Sequence, residues 1–151
     1  MGNCKIISAY KSMKMHKVKY IKQRDEDDCG IACLAMLSLG KHTYHDARKA
    51  LQFTKEAECF LTNNKAMKEG LDRLGIQHAL RFSGIRSKSW TSIIDRGSVL
   101  LVGCGKRKDK DWHWVVYDGR VRRVFDPNPK LGIYIPNRRH KKPFTKLEIF
   151  P

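Results

Sequence analysis

The sequence predicts an α+β domain, a central N-terminal helix packed on an antiparallel β-sheet, and three observations carry that expectation. Residues 29–39, CGIACLAMLSL, are apolar around the whole helical circumference, with Ser38 the one clearly polar side chain. A helix without a polar face belongs inside a domain. Residues 112–125, WHWVVYDGRVRRVF, hold two β-rich runs around Asp118-Gly119, the dipeptide of a two-residue hairpin. Helical patterns come first along the chain and strand patterns afterwards, the order of an α+β fold.

Each element follows from local signals. A basic arm over residues 1–17 leads into a short strand at Val18–Ile21. Asp27 or Asp28 caps the central helix, and Gly40 stops it. Thr43 caps a second helix over 44–52, and Thr62 a third over 63–74 that ends at Gly75. A strand over 76–82 and a short helix over 87–95 precede GSVLLVGC at 97–104, an apolar β-branched run of the kind buried on both faces. Residues 18–151 then form one domain with a basic C-terminal region.

Composition limits the functions available. The 151 residues are 41% hydrophobic, enough for one packed core and too many for a disordered chain. A net charge of +16 points to an anionic partner, an acidic protein or nucleic acid. That charge sits in the flanks: +6 over residues 1–22, and +7 over residues 119–148 from nine basic and two acidic side chains. Five cysteines, Cys4, Cys29, Cys33, Cys59 and Cys104, make an odd number with no CxxC pair, which fits reduced thiols in a cytosol. No apolar h-region opens the chain, Ile6 stands where myristoylation wants Ser or Thr, and no apolar run reaches the roughly 20 residues of a membrane-spanning helix. His42 and His45 have helix-neighbour spacing without a cluster to complete a metal site, so neither metal nor cofactor is expected.

Cys29 is the candidate nucleophile. At the first turn of the central helix, unpaired N–H groups and the positive end of the dipole favour thiolate. Asp25, Glu26, Asp27 and Asp28 just upstream oppose this unless they point away, so a nearby imidazolium is needed. Cys33, one turn on and on the same face, is the packing alternative. With Asp118-Gly119 as a two-residue turn, Tyr117 faces Arg120 and His113 faces Val124. Asp126 is then the diagonal neighbour of His113, about 7–8 Å away across the pair, where a carboxylate can orient an imidazole. Trp112 and Trp114 take the opposite hairpin face and read as core.

These residues bring the chain to a resemblance. QRDEDDCGIACLAML at 23–37 resembles the opening signature of the bacteriocin-processing, double-glycine leader peptidases, which are papain-like cysteine peptidases of bacteria. Gln23, Asp28, Cys29, Gly30, Ala32 and Leu34 match it. His113-Trp114-Val115-Val116 and Asp126-Pro127 match the later motifs, with the apolar strand Val99–Val102 before them, so the likeness spans roughly 18–128. It implies a papain-like fold, with Cys29 as nucleophile, His113 as general base and then acid, and Asp126 as orienting group. Gln23 would donate to the oxyanion beside the Cys29 N–H.

The expected activity is therefore hydrolysis of an amide bond in a peptide or protein, through an acyl-thioester. The expected setting is the cytoplasm, with no membrane span and no attached exporter. A second expectation uses the basic flanks: a toxin or effector on the same fold that binds or cleaves nucleic acid such as transfer RNA, acting in a target cytosol. Such triads also serve deamidation and transglutamination, so the residues specify acyl transfer more narrowly than they specify substrate.

Overall fold

The computed structural model describes residues 18–25, 28–51, 63–84, 86–94, 97–105 and 113–150. The basic arm at 1–17, Asp27, Cys4, Cys59, Thr62, the loop 106–111 and Trp112 lie outside the described residues.

Helix α1 (Cys29–Leu37) is buried along its whole length, as an all-apolar helix must be. It ends two residues sooner than the run of apolar residues suggests, because Leu39 (φ 53°) and Gly40 (φ 84°) both turn left-handed. The Ser38 hydroxyl fastens that exit, donating to the Ala35 carbonyl at 2.7 Å. Helix α2 (Tyr44–Ala50) starts from a full capping box, with the Thr43 hydroxyl on the Asp46 N–H and the Asp46 carboxylate on the Thr43 N–H. Helix α3 (Asn64–Arg73) is capped by Asn63. Gly75, at φ 69°, ends it as expected.

Six strands follow: β1 (Gln77–Ser83), β2 (Val99–Cys104), β3 (His113–Asp118), β4 (Arg123–Phe125), β5 (Ile133–Tyr134) and β6 (Pro143–Phe150), with the short α4 (Trp90–Ile93) between β1 and β2. They form one sheet in the order β1-β6-β2-β3-β4-β5, and every neighbouring pair is antiparallel. Strict alternation gives the sheet two apolar faces. Val99, Leu101, Trp114, Val116, Leu147 and Ile149 join the core under helices α1 to α3 on one side. Leu100, Val102, Cys104, Val115, Tyr117 and Val124 lie on the other, under Trp90 and Ile93 of α4. The run at 97–104 is thus buried on both faces, as its unbroken hydrophobicity implies.

Four local expectations are corrected. Val18–Ile21 forms no strand, although Val18 is buried and Tyr20 and Ile21 pack on the helix-side core. The helix expected over 87–95 shrinks to four residues, anchored where the Trp90 indole N–H donates to the Lys141 carbonyl at 2.9 Å. Asp118-Gly119 is not a two-residue turn. Asp118 pairs with Arg123 and Tyr117 with Val124, leaving residues 119–122 as the loop. Neither Asp118 nor Gly119 has the positive φ that a type I′ turn demands, whereas Arg122 does, at 56°. The Asp118 carboxylate instead accepts from the Arg120 N–H and guanidinium, an Asx-type closure. The pairing slips by four residues, an even number, so every side chain keeps its face.

The fourth correction concerns the C-terminal region. Residues 143–150 are the longest strand, and β6 lies inside the sheet between β1 and β2. Lys146 and Glu148 interrupt its apolar pattern and hid it from the sequence. Folded, Lys146 donates to the Ile93 carbonyl and Glu148 pairs with Arg81 at 2.9 Å. Part of the basic flank is therefore structural.

Gly103 permits a close approach that serves the site. A Cβ there would stand 2.6 Å from the Thr145 methyl carbon and 3.2 Å from the Phe144 ring. The same close packing seats the fully buried Trp114 directly after His113. Gly103→Ala should lower stability by about 1–3 kcal/mol through overpacking, read as a fall in Tm.

Candidate active site

Cys29 is the first residue of α1, so its side chain emerges where the helix N–H groups have no intrahelical partner. Asp28 stands at the N-cap position but makes no capping bond. Its carboxylate is turned away, accepting from the Tyr44 hydroxyl at 2.9 Å and from Arg48 at 3.3 Å. Two consequences follow. The nearest acidic charge is neutralised against a cation rather than aimed at the thiol, and the first turn of the helix is left without a side-chain cap. Tyr44 and Arg48 were not legible as part of the site, because both are ordinary helix residues sixteen and twenty positions downstream of Asp28.

His113 opens β3 opposite Cys104. Its Nε2 lies 2.5 Å from Asp126 Oδ1, and the Cys29 thiol is close enough to strengthen the hold of the imidazole on its proton. With Nε2 used by the carboxylate, Nδ1 is the nitrogen left to serve the thiol. Asp126 follows β4 directly, and the observed pairing of Val116 with Phe125 places it across from Val115, diagonal to His113. The diagonal relation read from the sequence therefore survives the slipped hairpin. Burial opposes protonation of His113, but the hydrogen bond to Asp126, the interaction with Cys29 and the negative charge of both outweigh it, and its pKa is pushed up to about 9.

Asp126 is itself firmly held. Oδ1 also accepts the Asn128 N–H at 2.9 Å, the Asx turn that an Asp-Pro-Asn sequence favours, and Oδ2 accepts the Tyr134 hydroxyl at 3.3 Å. Tyr134 stacks on His140 with ring centroids 3.9 Å apart. Tyr134 escaped sequence reading because β5 is two residues long and carries no strand-length pattern.

Gln23 lies beside this cluster. Its backbone N–H donates to the Pro127 carbonyl at 2.8 Å, which ties the segment before Cys29 to the residue after Asp126. The side-chain amide nitrogen donates to the Asp25 carbonyl at 2.9 Å, one of the two N–H groups an amide carries. Cys29, His113 and Asp126 thus meet directly, with Gln23 alongside.

The other described thiols differ in kind. Burial, with the negative charge of Asp126 nearby, pushes the Cys33 and Cys104 thiols well above their ordinary range, and the Cys29 charge adds to this at Cys33. Cys33 is fully buried, whereas Cys29 retains 8% exposure. Among the described residues no group of three or more His, Cys, Asp or Glu could hold a metal ion, and no helix is long and apolar enough to cross a membrane.

A cysteine at the start of a buried helix, packed on an antiparallel sheet that brings up a histidine and a carboxylate, is the architecture of the papain-like cysteine peptidases. The chain belongs to the peptidase C39 family, whose model matches residues 17–146. Among solved structures it is similar to the peptidase domain of Streptococcus ComA, a bi-functional ABC transporter involved in a quorum-sensing pathway. The TM-score is 0.60 at 21% identity, covering 88% of this chain and 96% of that one. No curated protein matches the chain. The chain is a cysteine peptidase by family and has the fold of the ComA domain.

Proposed function

We propose that the protein cleaves an amide bond of a peptide or protein substrate through an acyl-thioester on Cys29. The series Cys29–His113–Asp126, with the imidazole bonded to the carboxylate and interacting with the thiol, carries this reading. His113 takes the Cys29 proton through Nδ1, and the thiolate attacks the scissile carbonyl carbon. The negative oxygen of the tetrahedral intermediate is met by the Cys29 backbone N–H and the Gln23 amide. His113, now imidazolium, protonates the departing amine, and water activated by the same imidazole hydrolyses the thioester. Asp126 accepts the Nε2 proton throughout, which fixes the tautomer and the ring orientation.

Peptide substrates are supported by the C39 family and by the ComA peptidase domain as structural neighbour. Nothing favours nucleic acid as substrate, and part of the charge that suggested it belongs to the sheet. The basic arm at 1–17 remains a region for recruiting the substrate within a cytoplasmic setting. Incubating wild type and Cys29→Ala with a panel of peptides and folded proteins, read by mass spectrometry, tests the reading. Cleavage should occur with wild type alone; equal cleavage by Cys29→Ala would refute it.

A further inference from the structure

The segment that carries Gln23 is held at two successive backbone N–H groups by two different bodies. Gln23 N–H goes to the Pro127 carbonyl, behind Asp126. Arg24 N–H goes to the Tyr44 hydroxyl, at 3.3 Å, on α2. That same hydroxyl donates to Asp28 Oδ2, the residue directly before Cys29. Tyr44 is buried, its helix start is locked by the Thr43 capping box, and the Arg24 guanidinium lies 4.2 Å above its ring. Asp28, 1% exposed, has one carboxylate oxygen without a partner among the described residues, although an N-cap position offers it helix N–H groups. Tyr44 and Arg48 hold the other oxygen away from them.

We infer that Tyr44 is a positioning residue for oxyanion stabilisation: its hydroxyl, accepting from Arg24 and donating to Asp28, sets the Gln23 amide against the Cys29 N–H and keeps the Asp28 carboxylate off the helix start. The Tyr44 hydroxyl touches no reacting atom. It acts on the two donors that do, so this inference rests on the oxyanion roles of Gln23 and Cys29 proposed above. Burial, reinforced by the hydrogen bond to Asp28, pushes the phenol up to about 12, so it stays a donor throughout the working pH range.

The test is Tyr44→Phe, which removes one oxygen and leaves the ring under Arg24. With turnover normalised to titrated active sites, kcat should fall about 10-fold or more while KM stays within about twofold, because the lost interaction matters only once the oxyanion forms. Iodoacetamide alkylation of Cys29, which develops no oxyanion, should fall far less than kcat, because Arg48 still holds the Asp28 carboxylate. Gln23→Ala should lose kcat in the same way, and the double variant should lose little more than Gln23→Ala alone, since both act on one device. Losses that multiply, an unchanged kcat in Tyr44→Phe, or alkylation falling in step with kcat would overturn the inference. So would a Tyr44→Phe chain that does not fold, since the hydroxyl would then serve stability. Full activity in Gln23→Ala would instead strike at the oxyanion assignment beneath it, whatever Tyr44→Phe shows.

Discussion

His113→Ala is expected to lower kcat/KM for amide cleavage by at least about 10³-fold, and Cys29→Ala to do the same, with the double variant scarcely worse than either. In the proposed mechanism the two side chains act as one unit. Without the imidazole, the thiol has no base and the leaving amine no acid to protonate it; without the thiol, the imidazole has nothing to activate. Residual rate would come from substrate binding and from the N–H groups at the start of α1. Steady-state kinetics on any substrate found by mass spectrometry measure all three variants. A His113→Ala enzyme within about 10-fold of wild type would show that the imidazole is a structural neighbour of the thiol.

In the proposed mechanism Asp126 supplies orientation and charge, and two substitutions separate them. Asp126→Ala removes both and should cost about 10²-fold or more in kcat/KM. Asp126→Asn keeps an oxygen to accept the Nε2 proton and removes the charge. The hydrogen bond and charge of Asp126 are among the causes that lift His113 to about 9 against the pull of burial. The protonated imidazole persists as pH rises until about 9 in wild type, so activity that needs the imidazolium beside the thiolate should decline through that pH. In Asp126→Asn the raising influence is weakened while burial still depresses protonation, so the decline should start at lower pH, toward the ordinary value of 6.5. The pH profile of kcat/KM decides: an alkaline limb that does not move would mean the carboxylate charge leaves His113 unaffected.

The parts of this arrangement that could be read from the sequence are those set by short-range patterns. The unbroken apolar run of α1 identified a buried helix with Cys29 at its start, and the two strands around residue 118 identified the hairpin. The turn type was misread because Asp118 closes the loop with its side chain rather than its backbone. The reading of Asp126 survived because side-chain facing depends on parity alone, and a slip of four residues preserves parity. Contacts made through long-range pairing were not legible. Lys146 and Glu148 masked β6, whose place inside the sheet depends on partners 39 or more residues upstream. The Tyr44 and Arg48 grip on Asp28, which leaves the first turn of α1 uncapped, likewise needs α2 folded back against α1. Asp28 looked like a cap because a side chain of its type at that position usually is one.

Site-resolved thiol alkylation is the most direct measurement of whether Cys29 is activated by His113. Wild type and His113→Ala are exposed to iodoacetamide under native conditions near pH 7, and the label on each cysteine is followed over time by peptide mass mapping. Cys29 should be modified well ahead of Cys33 and Cys104, whose burial holds them as neutral thiols, and His113→Ala should remove that lead. Equal rates at Cys29 and Cys33 in the wild-type protein, or a Cys29 rate indifferent to His113, would contradict the account.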